Sequence, residues 1–123
     1  MTTQPRTTEP IARALRRLLN ERHLTDTELM ATADVSPATV SRYLSGTRGV
    51  RMNSQAVKTV EKLAGALGVE PEYFREYRGW KAEKLVREAI AEGLIDLEDI
   101  ELILARKRYQ KRREGTDGNC DNA

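Results

Sequence analysis

Cysteine occurs once, at position 120, and histidine once, at position 23. A single cysteine closes no internal disulfide, and the pair is too few for a zinc site built on thiolates and imidazoles. Nothing therefore points to an oxidising compartment. Aromatic residues are only 5% of the 123 positions. No apolar run approaches the roughly 18 residues of a membrane-spanning helix. The opening ten residues (MTTQPRTTEP) hold no apolar stretch, so no secretory signal is expected and the cytoplasm is the expected compartment. Gly-rich phosphate loops, HExxH, nucleophile elbows and paired His/Cys systems are all missing, so neither enzyme chemistry nor a cofactor is expected. Alternation of apolar and polar residues, the mark of a strand, never lasts more than a few positions.

What is present is charge and helical periodicity. Charged residues make up 33%, as 21 basic against 19 acidic, for a net +2. The distribution is uneven. Residues 1–50 hold seven basic and five acidic groups, 51–105 eight and eleven, and 106–123 six and three. An acidic stretch is thus followed directly by the basic run Arg106–Arg113 (RKRYQKRR).

Ile11, Leu15, Leu18 and Leu19 fall on one helical face behind Pro10, a residue suited to a first turn. His23 lies near that helix's end, where a cation suits the dipole. Thr25 with Glu28 fits a capping box for a short second helix burying Leu29 and Ala33. Ser36 and Pro37 open a third helix that Gly46 should stop. A polar loop, 47–52, leads to a fourth helix capped at Asn53 or Ser54, with Val57, Val60, Leu63, Ala64 and Leu67 inward. A short fifth helix is expected around Tyr73 and Phe74. Beyond Gly79, 80–92 reads as one helix and the residues after Asp96 as another, running to about Arg113.

The stretch Leu24–Gly46 (LTDTELMATADVSPATVSRYLSG) is the informative one. Two short helices meet at a tight turn. On the second, Val40, Tyr43 and Leu44 face inward, and Ala38, Ser41, Arg42 and Ser45 share the opposite face. A small, polar face with one long cation can enter a DNA major groove about 12 Å wide. Arg42 can read guanine or meet a phosphate, and Thr39 and Ser41 can serve either.

In register, these residues resemble the lambda-repressor/Cro superfamily, the XRE family of helix-turn-helix proteins. Leu24-Thr25, Glu28-Leu29, Val35-Ser36, Thr39-Val40-Ser41-Arg42 and Gly46 carry the resemblance, with Leu63-Ala64, Ala66-Leu67-Gly68-Val69 and Tyr73-Phe74 at the closing helices. It covers 11–74. It implies a five-helix bundle whose members mostly bind operator DNA as dimers. Pro37, Ala38, Thr39, Ser41 and Arg42 stand at its DNA-facing positions, within a recognition helix Ser36–Ser45. The resemblance gives a phosphate role to Thr25 or Thr27, while Asp26 departs from the pattern because a carboxylate repels phosphate. Pro37 and Ala38 also depart, which shifts specificity towards Arg42, Thr39 and DNA shape. The loop after Gly46 is longer than the family's common form, and Thr47, Arg48, Arg51 and Asn53 are placed to grip the DNA backbone.

The expected organisation is all-α: a disordered arm at 1–9, a helix-turn-helix domain at 10–78, a C-terminal helical hairpin at 79–113 and a disordered tail at 114–123. Leu85, Val86, Ile90, Leu97, Ile100, Ile103 and Leu104 form more apolar surface than a lone hairpin can cover. Either a second chain covers it, giving a homodimer for a two-fold operator, or it packs back on the first domain, with Tyr77 and Trp80 at the junction. The basic run is either a source of phosphate contacts or a solvated helix end. The expected function is a sequence-specific double-stranded DNA-binding regulator, a repressor of phage-immunity, Cro-like or bacterial type, associated with the nucleoid, with no membrane or small-molecule partner. An antitoxin-type module, its C-terminal helices binding a partner protein, is the alternative; a DNA-binding architectural protein without sequence preference is a third.

Overall fold

The computed structural model describes residues 6–120, with side chains to Glu114. Six α-helices and one 3₁₀ turn account for the regular structure, and no strand occurs among the described residues. The helices are α1 (Ile11–Glu21), α2 (Asp26–Ala33), α3 (Pro37–Ser45), α4 (Ser54–Leu67), α5 (Arg75–Ala91) and α6 (Leu97–Cys120); the 3₁₀ turn is Pro71–Tyr73. The chain divides into two compact units, at 1–83 and 84–123.

Local chemistry sets most boundaries in the first unit. The Thr25 hydroxyl accepts the Glu28 N–H at 3.1 Å, and the Glu28 carboxylate accepts the Thr25 N–H at 3.1 Å, so both halves of the capping box are made. Asp34 stops α2 in the left-handed conformation, which Asp tolerates better than most residues. Ser36 caps α3 with Pro37 in its first turn, and Asn53, not Ser54, caps α4 through the Ala56 N–H at 2.8 Å. The inward residues expected on α1 to α4 are all buried, and Phe74 is fully enclosed among them. α3 packs on α1 and α2, and α2 packs on α4.

Several expectations are corrected. Residues 6–9, assigned to a disordered arm, are held. Thr7 is buried, its N–H donates to the Tyr73 carbonyl at 3.1 Å, and its carbonyl accepts from Arg78 at 2.8 Å. Arg17 donates to Glu9 at 2.8 Å and to the Tyr73 hydroxyl. A polar arm is ordered here because the 3₁₀ turn and α5 supply partners for its backbone. Residues 1–5 lie outside the described residues.

The helix expected around Tyr73 and Phe74 is the 3₁₀ turn, as Pro71 allows too few residues before α5 begins. Gly79 does not break the chain: α5 runs through it, and no heavy atom of another segment comes within 4 Å of a Cβ built there. The boundary at 78/79 therefore falls inside a helix, and the compact units divide at 83/84 instead. Tyr77 belongs to the first unit's core and Trp80 packs partly buried against it, their ring centroids 5.5 Å apart.

α5 ends at Ala91 in the second unit, and Gly93 beyond it takes a positive φ. Asp96 starts α6: its N–H donates to Asp99 at 2.8 Å and its carboxylate accepts the Leu97 N–H at 2.8 Å. The backbone of α6 continues past Arg113 to Cys120, into the expected tail, because no proline interrupts its ladder. Residues 121–123 lie outside the described residues. Leu85, Ile90, Leu97, Ile103 and Leu104 are exposed, and Val86 and Ile100 are half-buried. Every residue from Glu101 to Glu114 is exposed, the basic run included.

Candidate nucleic-acid interface

The periodicity of α3 sorts its side chains as the sequence implies. Val40, Tyr43 and Leu44 are buried, while Pro37, Ala38, Ser41, Arg42 and Ser45 are exposed and Thr39 is half-buried. The outward face therefore holds one long side chain, Arg42, among small ones.

Hydrogen bonding separates the hydroxyls that hold the helix from those turned to solvent. Ser36 accepts the Thr39 N–H at 3.3 Å and its hydroxyl pairs with that of Thr39 at 2.8 Å. Ser45 and Thr47 both donate to the Arg42 carbonyl, at 3.1 and 3.2 Å, closing the end of α3. Thr25 is committed to the α2 cap. Ser41 and Thr27 are exposed and form no side-chain hydrogen bond among the described residues. Of the two threonines at the start of α2, Thr27 is thus the one with a hydroxyl to offer. Asp26 pairs with Arg16 at 3.6 Å, with both side chains about half exposed. Such a pair contributes little stability, but it moderates a negative charge beside the exposed face.

Thr39 and Arg42 on α3, Arg48 and Arg51 in the loop, and Asn53 at the α4 cap converge on one cleft of about 190 Å³. Thr25, Thr27, Ser36, Pro37, Ala38, Ser41, Ser45 and Thr47 do not line it. Sequence reasoning missed five of the lining residues, Tyr43, Gly49, Gln55, Ala56 and Thr59. Tyr43 reads as core, and its ring is core; burial pushes its hydroxyl pKa up, against a hydrogen bond with Thr59 and the nearby charge of Arg48. Gly49 is buried at φ +88°, and a Cβ there would meet Ile11 Cγ2 at 2.8 Å and the Tyr43 ring at 3.0 Å. The only hint in the sequence is a glycine between two arginine-bearing positions of a polar loop.

A family model described as helix-turn-helix matches residues 15–74. This segment belongs to the helix-turn-helix family. The matched span, just under half of the chain, takes in α2, α3, the loop and α4. Among solved structures, a chain of the SinR protein/SinI protein complex is similar at 20% identity and TM-score 0.46, over 83% of this chain and 98% of that one. No curated protein matches. No helix among the described residues is long and apolar enough to cross a membrane. No group of three or more His, Cys, Asp or Glu among them is gathered so as to hold a metal.

Proposed function

We propose that the protein is a sequence-specific double-stranded DNA-binding repressor that acts as a homodimer in the cytoplasm, on a bacterial chromosome or an infecting phage genome. The observation that carries this reading is the exposed face of α3, where Arg42 stands alone among small side chains. Ser36–Ser45 enters the major groove. Arg42 reads a guanine edge, with Ser41 and Thr39 beside it, and Pro37 and Ala38 allow close approach without donating hydrogen bonds. Thr27 meets a phosphate, as do Arg48 and Arg51 from the loop, while Thr25, Thr47, Ser45 and Asn53 fix the backbone around them. Two copies, joined through the second unit, place two recognition helices on half-sites about 34 Å apart.

Selection from a random duplex library at roughly physiological salt tests this, because non-specific binding is suppressed there. An enriched inverted repeat is expected. Absence of any enriched sequence overturns specific recognition. On the enriched site, Arg42→Ala should weaken binding by roughly 1–3 kcal/mol and relax preference at one base pair. Equal weakening on every sequence would make Arg42 a phosphate contact only.

The exposed apolar residues of the second unit favour a second reading, in which they bind another protein as an antitoxin-type module does. That reading requires a chain that forms no stable dimer alone and gains helix in residues 79–113 when the partner is added.

A further inference from the structure

Arg42, Arg48 and Arg51 come from the last turn of α3 and both ends of the loop after it, yet they line one cleft. None of the three has an ion pair among the described residues, although Arg16, Arg17, Arg22, Arg75 and Lys81 each find a carboxylate. No carboxylate lines the cleft. Three like charges around a concavity repel one another, and an anion placed among them relieves that repulsion.

Size narrows the choice of anion. About 190 Å³ corresponds to about six waters' share of liquid volume. It is below the roughly 300–1,000 Å³ of pockets that enclose a whole drug-sized ligand. A tetrahedral oxyanion with attendant water fits, or the phosphoryl end of a larger molecule whose remainder stays outside. Guanidinium forks match phosphate oxygens in pairs, which a diffuse patch of lysines would not. The carboxamides of Asn53 and Gln55 add neutral polar groups to the wall. The Tyr43 phenol is neutral near pH 7 and adds no negative charge to the wall.

We propose that this cleft is a binding site for the phosphoryl group of a free phosphorylated small molecule, held by Arg42, Arg48 and Arg51. A free phosphate ester seated there engages Arg42 and therefore antagonises DNA binding. That antagonism rests on the DNA-binding reading above; the site itself does not.

The test follows backbone amide NMR shifts of Gly49, Gln55 and Ala56 in the full chain. The probes are inorganic phosphate, a nucleoside 5′-monophosphate and a random-sequence duplex, each against chloride at constant ionic strength. The variant R48Q/R51Q alters exposed side chains, and its unperturbed core amides verify folding. Saturable shifts with inorganic phosphate or the monophosphate, weakened roughly tenfold or more in R48Q/R51Q, support the site with a free ligand. Shifts with the duplex alone, lost in R48Q/R51Q, leave these arginines as backbone contacts of bound DNA and overturn the inference. If the duplex binds while these amides stay still under every probe, the inference falls and the DNA reading survives. If phosphate binds and no duplex does, the DNA reading falls and the site stands. Equal shifts with chloride mean general screening and overturn the inference.

Discussion

Gly49 sits at φ +88°, facing Ile11 at a distance Cβ atoms essentially never show and the Tyr43 ring at a tight one. It lets the loop backbone lie on the core between α1 and α3, and so fixes where Arg48 and Arg51 emerge. Gly49→Ala should destabilise the protein by about 2 kcal/mol or more, combining left-handed strain with a displaced core contact. Thermal unfolding measures the loss, and weaker DNA binding at temperatures where the variant remains folded would show that the loop has moved. Unchanged stability would mean that the loop lifts off at no cost.

Tyr77 gives a second test at this scale. Its ring is buried and its hydroxyl donates to Glu61 at 3.0 Å; burial first, then the Glu61 contact, push its pKa up to about 12. The folded chain thus keeps a proton that the unfolded chain releases near 10. The stabilisation is complete below pH 10 and is lost as pH rises from there towards 12. Denaturant unfolding across that range should show a shallower decline for Tyr77→Phe than for the unaltered chain. Parallel declines would remove Tyr77 from the alkaline transition.

At the scale of elements, what could be read from the sequence is whatever a helix decides within one turn of itself. Thr25, Ser36 and Asn53 cap, and Gly46 stops, because each acts on backbone groups three or four positions away. The outward face of α3 was legible for the same reason. Gly79 misled because its propensity argues for a break while the helix on either side outweighs it. The cleft was not legible, since it depends on Gly49 meeting Ile11 and on Tyr43 meeting Thr59, contacts that no local pattern encodes. Thr25→Ala removes a made cap, so it should cost about 1 kcal/mol of stability. Thr27→Ala should leave stability unchanged and weaken DNA binding, because its hydroxyl supports no helix end. Calorimetry and a binding titration on the two variants distinguish these roles; a stability loss at Thr27 would reverse them.

For the whole molecule, charge and apolar surface are separated along the second unit. Acidic groups and apolar side chains gather before position 105, and cations gather after it. If two copies associate there, sedimentation should give twice the 13.9 kDa chain mass. Placing Glu at both Ile100 and Leu104 should return the single-chain mass, because buried carboxylates without partners oppose association. Neither position belongs to the first unit's core, so its unfolding should be unaffected. A dimer that survives both substitutions would place the interface elsewhere.

The contacts that tie Thr7 to Tyr73 and the Ile11 N–H to Glu76 span 66 and 65 residues of chain. During synthesis at roughly 5–20 residues per second, the partners of this strap arrive about three to thirteen seconds after the segment they secure. Within that interval α2, the turn and α3 are completed, while the start of α1 still lacks the Glu76 carboxylate that accepts its first amide. A nascent chain therefore owns the sequence of a recognition helix before it owns the scaffold that aims it. Ribosomes stalled before position 73 should carry a protease-sensitive α1, and those stalled beyond α5 a protected one.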